Sequence, residues 1–237
     1  MQQQLIKYYD NTQTELHGHL YYTQQNSQKA AAVIVVHDWS GCNEFAKQQA
    51  QKLAAHGYVG FAIDMYGEGS TAESLEEKKA LMQPLLSDRA LLQQRIQAAV
   101  QTLKEQPGVD SQHIAAIGFC FGGLCVLDLA RTTHDIQGVA SFHGLLGAPD
   151  NNPQTVINSK VLVLQGYADP MVPPEQLITF AEEMTARKAD WQIHAYGQVM
   201  HAFTNPQAHD AQMGIYYNAS AAHRSWIALL NFLNEIF

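Results

Sequence analysis

The chain has 237 residues, enough for one domain with a substantial core, and its 46% hydrophobic and 15% charged residues are an ordinary globular balance. A net charge of −8 with no block of Lys and Arg argues against nucleic acid or an anionic membrane surface as its main partner. No apolar run approaches the ~20 residues that span a bilayer. MQQQLIKYYD lacks a signal-peptide pattern and the three cysteines form no CxxC pair, so a cytoplasmic protein without a disulfide scaffold is expected.

Taken in chain order, Leu5–Tyr9 and Glu15–Tyr22 alternate weakly and predict an antiparallel edge, and Gln24–Lys29 a polar connector. Ala31–Val36 is a continuous β-branched run, as in a strand covered on both faces. Asn43–His56 predicts a helix closed by Gly57, and Tyr58–Ile63 a second buried strand. Met65–Pro84 is irregular and opens with Tyr-Gly-Glu-Gly, which suits a loop over a site. Leu85, Leu92, Ile96, Val100 and Leu103 mark one face of a long helix ended by Pro107-Gly108.

The strand His113–Ile117 runs into Gly118-Phe-Cys-Phe-Gly-Gly123, and Leu124–Ala130 continues as an apolar helix. Gly138–Phe142 and Lys160–Gln165 are further strands, and Pro173-Pro174 starts a helix facing inward through Leu177, Phe180, Ala181 and Met184. Trp191–Tyr196 is the last predicted strand. The C-terminal helix is expected to bury Ala222, Trp226, Leu229, Leu230 and Leu233. No repeat or linker interrupts the pattern, so residues 1–237 are expected to form a single domain. Alternating strands and helices predict an α/β fold, a mostly parallel sheet with helices on both faces, and ligands in such folds bind beyond the carboxyl ends of the strands.

Cys120 stands at one of those ends. A sharp strand-to-helix turn needs small flanking residues, which Gly118 and Gly122 supply, and the following helix directs its positive end at the sulfur. Cys125 among Leu124, Val126 and Leu127, and Cys42 in a loop, read instead as bystander thiols. A thiol nucleophile needs a histidine base and a group to orient it. Of eleven histidines, His17, His19, His134, His209 and His223 sit in polar or helical surroundings, and His56 and His113 have local structural roles. In elbow-type hydrolases the order is nucleophile, acid, histidine. Asp169, in QGYADPMVPPE, and His201, in YGQVMHAFTNP, follow later strands in that order.

The GFCFGG elbow, Gly-Tyr-Ala-Asp169 and Met-His201-Ala-Phe203 together resemble the dienelactone hydrolase family of the α/β-hydrolase fold, from about Ala31 to the C-terminus. The resemblance implies Cys120 as nucleophile, His201 as general base and then acid, and Asp169 as the residue orienting the imidazole. It also implies a carboxylate near the resting thiol, which falls on Asp38, and an oxyanion hole from the backbone N–H groups of Phe121 and Trp39. Trp39, Arg89, His143, Tyr167 and Phe203 are candidate pocket residues. The family holds a substrate carboxylate with arginine, and Arg89 lies in the corresponding broad region.

The expected activity is hydrolysis of small carboxylic esters or lactones through an acyl-enzyme, with a small-molecule substrate and no cofactor or metal. A thioesterase of the same mechanism, a glutamine amidotransferase-type cysteine hydrolase and a non-catalytic ligand-binding protein are the alternatives. The amidotransferase pattern places a glutamate two residues after the histidine, where this chain has Phe203. GFCFGG also lacks the length and lysine of a phosphate loop.

Overall fold

In the computed structural model, residues 1–23, 29–132, 135–153 and 155–237 are described. Most of the predicted connector Gln24–Lys29, and His134, lie outside the described residues. The chain divides into two compact units, Met1–Ile117 and Gly118–Phe237.

The first unit contains β1 (Gln2–Tyr9), β2 (Glu15–Tyr22), β3 (Ala30–Val36), α1 (Glu44–Ala55), β4 (Val59–Ile63), α2 (Leu75–Ser87) and α3 (Arg89–Lys104). β5 (Val109–Phe119) ends two residues into the second unit. Its strands run in the order β1-β2-β4-β3, with β1–β2 and β2–β4 antiparallel and β3–β4 parallel. The predicted antiparallel edge is therefore present. β3 is fully buried from Ala32 to Val36, as its β-branched run requires. Asp64, at the end of β4, accepts N–H groups from Tyr66, Gly67 and Gly69 and so shapes the loop that follows.

The segment expected to be irregular contains a helix. Ser74 and Glu77 form a reciprocal capping box that starts α2, and this helix carries Pro84 within it. Leu85 accordingly belongs to the last turn of α2, and Asp88 starts α3 by accepting the Leu91 N–H. Ser74 followed three residues later by Glu77 is the signal in the sequence that marks this helix start.

The second unit contains α4 (Phe121–Thr132), β6 (Gly138–Phe142), β7 (Lys160–Gly166), α5 (Pro174–Ala186), β8 (Trp191–Tyr196), β9 (His209–Asp210), β10 (Ile215–Tyr216) and α6 (Ala219–Ile236). β6, β7 and β8 are consecutive and parallel, so their carboxyl ends deliver loops to one side. Beyond β8, the predicted last strand, β9 and β10 form a short antiparallel pair.

Residues 121–131 of α4 are all buried. α6 buries Ala221, Ser225, Leu229, Phe232 and Leu233, a face turned slightly from the predicted one, and Ala222, Trp226 and Leu230 are only half-buried. With apolar side chains over more than half its circumference, its seating on β6 and β7 selects the buried face.

Gly123 allows α4 to lie against the end of β6. A Cβ there would come 2.6 Å from the Gly144 Cα and 2.6 Å from Ser141 Oγ. Gly123→Ala should destabilise the protein by about 2 kcal/mol, in the range for overpacking a tight site. Gly147→Ala, where an added Cβ meets nothing within 4 Å, should leave the chemical-denaturation midpoint near wild type.

Candidate active site

Cys120 is the single residue between β5 and α4. Its φ is +54°, a left-handed conformation that costs a non-glycine residue roughly 1–3 kcal/mol. Its N–H donates to the Phe142 carbonyl at 3.0 Å, and its own carbonyl accepts the Gly123 N–H at 3.0 Å. A Cβ on Gly118 would overlap the Gly122 carbonyl, so the turn can be this tight only with glycine there. The thiol is partly exposed, and Phe121 opens α4 with its N–H in the first helical turn. Cys42 and Cys125 are buried, and burial pushes the Cys42 thiol up to about 12, which suits inert thiols.

Asp169 and His201 meet in the second unit, at the ends of neighbouring β7 and β8. His201 Nδ1–H donates to Asp169 Oδ2 at 2.7 Å, and both residues are 2% exposed. The loops carrying them are laced through their backbones, with the Tyr167 N–H on the Tyr196 carbonyl and the Ala168 N–H on the Val199 carbonyl, both 2.9 Å. The backbone of His201 is tied on its other side, donating to the Gly214 carbonyl at 2.9 Å and accepting the Tyr216 N–H at 3.0 Å.

Two further donors complete the Asp169 carboxylate. Met171 N–H reaches Oδ1 at 2.8 Å, and Gln165 Nε2 reaches Oδ2 at 2.7 Å. Gln165 is fully buried at the end of β7, a position that sequence inspection passed over. The available signal was an amide where an otherwise apolar strand, KVLVLQG, faces the interior.

His201 Nε2 is buried and makes no aligned hydrogen bond among the described residues, yet it lies within electrostatic reach of the Cys120 sulfur. Burial by itself would push the imidazole pKa down. The negative charge of a Cys120 thiolate and the Asp169 carboxylate outweigh burial and raise it to about 10. The group is thus suited to carrying a proton beside a thiolate.

His143 is 2% exposed, has φ +38°, and lies edge-on to His201 with ring centroids 5.2 Å apart. Burial, and then the neighbouring His201 charge, hold it well below the ordinary histidine range, so it is neutral. Phe203 is fully buried in a core cluster with Val199 and Ala221. Tyr167 is 52% exposed at the end of β7.

In the first unit, Asp38 Oδ1 accepts the Ser40 N–H at 2.8 Å and so caps its own loop. The Trp39 carbonyl accepts the Tyr66 hydroxyl at 3.0 Å, and Lys78 Nζ lies 5.6 Å from the Trp39 ring centre. Arg89 is the half-buried first residue of α3. Among the described residues, no group of three or more His, Cys, Asp or Glu is placed to hold a metal ion, and no helix is long and apolar enough to cross a membrane.

The family model described as "Dienelactone hydrolase family" matches residues 18–237. A probable 2-oxo-3-(5-oxofuran-2-ylidene)propanoate lactonase from a Bradyrhizobium species is 30% identical, with 85% of this chain and 82% of that protein covered. A putative carboxymethylenebutenolidase from Aquifex aeolicus is 28% identical, with 85% and 86% covered. Among solved structures, a dienelactone hydrolase-like promiscuous phosphotriesterase from metagenomic libraries superposes with a TM-score of 0.93 at 35% identity, covering 100% of this chain and 98% of that one. With its α/β fold and this match over nearly its whole length, the chain belongs to the dienelactone hydrolase family, hydrolases of ester and lactone bonds.

Proposed function

We propose that this chain hydrolyses small carboxylic esters or lactones through a thioester on Cys120. The observation that carries this reading is the buried Asp169–His201 pair, whose remaining imidazole nitrogen lies within electrostatic reach of a cysteine held at positive φ on a strand-to-helix turn. Cys120 thiolate attacks the carbonyl carbon and the π electrons move to oxygen. In this reading the Phe121 N–H, in the first turn of α4, donates to that oxyanion, and one such donor is typically worth about 3 kcal/mol. The intermediate then expels an alkoxide, which takes the proton from His201 Nε2.

Neutral His201 next takes a proton from water, the hydroxide adds to the thioester, and the thiolate leaves as the free acid forms. For a lactone, the acid and alcohol end in one molecule. Tyr167, exposed at the end of β7, contributes to substrate fit in this reading. Phosphotriesters are a second substrate class, favoured by the 35% identical promiscuous phosphotriesterase. There the thiolate attacks phosphorus, the P–O bond to the aryloxide breaks, and that leaving group takes the proton from His201.

Kinetics on matched aryl esters, lactones, thioesters and aryl phosphotriesters separates these classes. Cys120→Ala should lower kcat/KM on the preferred ester by about 10³-fold or more. Unchanged hydrolysis would remove Cys120 from the mechanism.

The pH dependence follows from the sign of the His201 shift. Its folded value, about 10, lies above its ordinary 6.5, so its contribution to stability is complete below 6.5 and is lost as pH rises through about 10. The leaving group loses its proton donor only as pH approaches and passes about 10. The alkaline limb of kcat/KM should therefore fall near pH 10, and Asp169→Asn should move it to lower pH. A limb that stays in place in Asp169→Asn would contradict the assigned role of the carboxylate.

A further inference from the structure

We infer that the end of β6 is the gauge that sets the separation between nucleophile and base, with His143 and Thr204 acting as positioning residues for His201. Two consecutive residues there hold the two halves of the proposed catalytic pair. The Phe142 carbonyl accepts the Cys120 N–H at 3.0 Å, fixing the turn that presents the sulfur. His143, next in the chain, joins its Nε2 to Thr204 Oγ1 at 2.8 Å, and Thr204 lies three residues beyond His201 on the same loop.

The geometry gives this link work that the Asp169 bond cannot do alone. One hydrogen bond at Nδ1 leaves the imidazole free to swing about the axis through that bond. The His143 ring stands edge-on to His201 at 66° and to Phe203 at 80°, each with centroids 5.2 Å apart, and so forms a wall that limits this swing. Ala202, between them, has φ +54°, so the loop is strained and needs external restraint to keep its shape. His143 is itself strained at φ +38° and is fixed from behind by its N–H on the Leu164 carbonyl at 2.9 Å. Being neutral, it restrains the base without opposing the imidazolium that must form there.

This inference rests on the reading of His201 as base, and Thr204 offers the cleaner handle because its hydroxyl is bonded to His143 and stands outside the Cys120, His201 and Asp169 set. Thr204→Val keeps the shape and removes the hydroxyl, whereas Thr204→Ser keeps the hydroxyl. On the preferred aryl ester, Thr204→Val should lower kcat by about tenfold or more with KM within about threefold, and Thr204→Ser should return kcat to within about threefold of wild type, because misplacement of about 1 Å can cost 10²-fold. NMR titration of the His201 imidazole should show its pKa falling toward the ordinary range in Thr204→Val and recovering in Thr204→Ser.

A wild-type kcat and titration in Thr204→Val would overturn the inference. So would a Thr204→Ser variant no better than Thr204→Val, or a loss confined to KM. If Thr204→Val fails to fold, Thr204→Ala is read by the same criteria. If the wild-type protein hydrolyses no ester, the proposed function fails, while the His201 titration still decides the gauge.

Discussion

A 2.7 Å hydrogen bond between His201 and Asp169, sealed from water, is the interaction on which the rest of the site depends. A carboxylate taken into the interior is costly unless its lone pairs are filled, and here His201, Gln165 and Met171 fill them. The bond assigns the Nδ1 proton and leaves Nε2 for the proposed proton transfer. It also means that neither residue can be altered without leaving the other buried and short of a partner.

That bond is possible because β7 and β8 are adjacent and parallel, so their following loops emerge side by side. Backbone bonds between Tyr167 and Tyr196 and between Ala168 and Val199 then lace these loops before any side chain is considered. Three residues around the site, Cys120, His143 and Ala202, adopt positive φ. Such strain persists only where surrounding contacts over-determine it, and each of the three is tied by backbone or side-chain bonds to a rigid strand end or a neighbouring loop turn. The site is therefore carried by loops tied through their backbones to a parallel scaffold.

Much of this was legible in the sequence, for identifiable reasons. The β-branched run at 31–36 could only be a covered strand, and GFCFGG between a strand and an apolar helix announced a tight turn. Asp169 and His201 followed strands in an order that made them candidates together, and the resemblance to dienelactone hydrolases named their roles. Much of what escaped was decided by contacts far along the chain, as with the buried face of α6, which depends on what it meets in β6 and β7. The helix at 75–87 is the local exception, started by the Ser74–Glu77 capping box. Gln165 and Thr204 carry no motif, and their parts emerge only once the fold sets them against Asp169 and His143.

The thioester on Cys120 is the central chemical claim, and it can be observed directly. Wild-type protein mixed briefly with an aryl ester, quenched in acid and digested should show the acyl mass on the peptide containing Cys120. Some of that adduct should be present while product is still being released, with Cys42 unmodified. Acylation of Cys42, of a hydroxyl side chain, or of no residue at all while hydrolysis proceeds would contradict it.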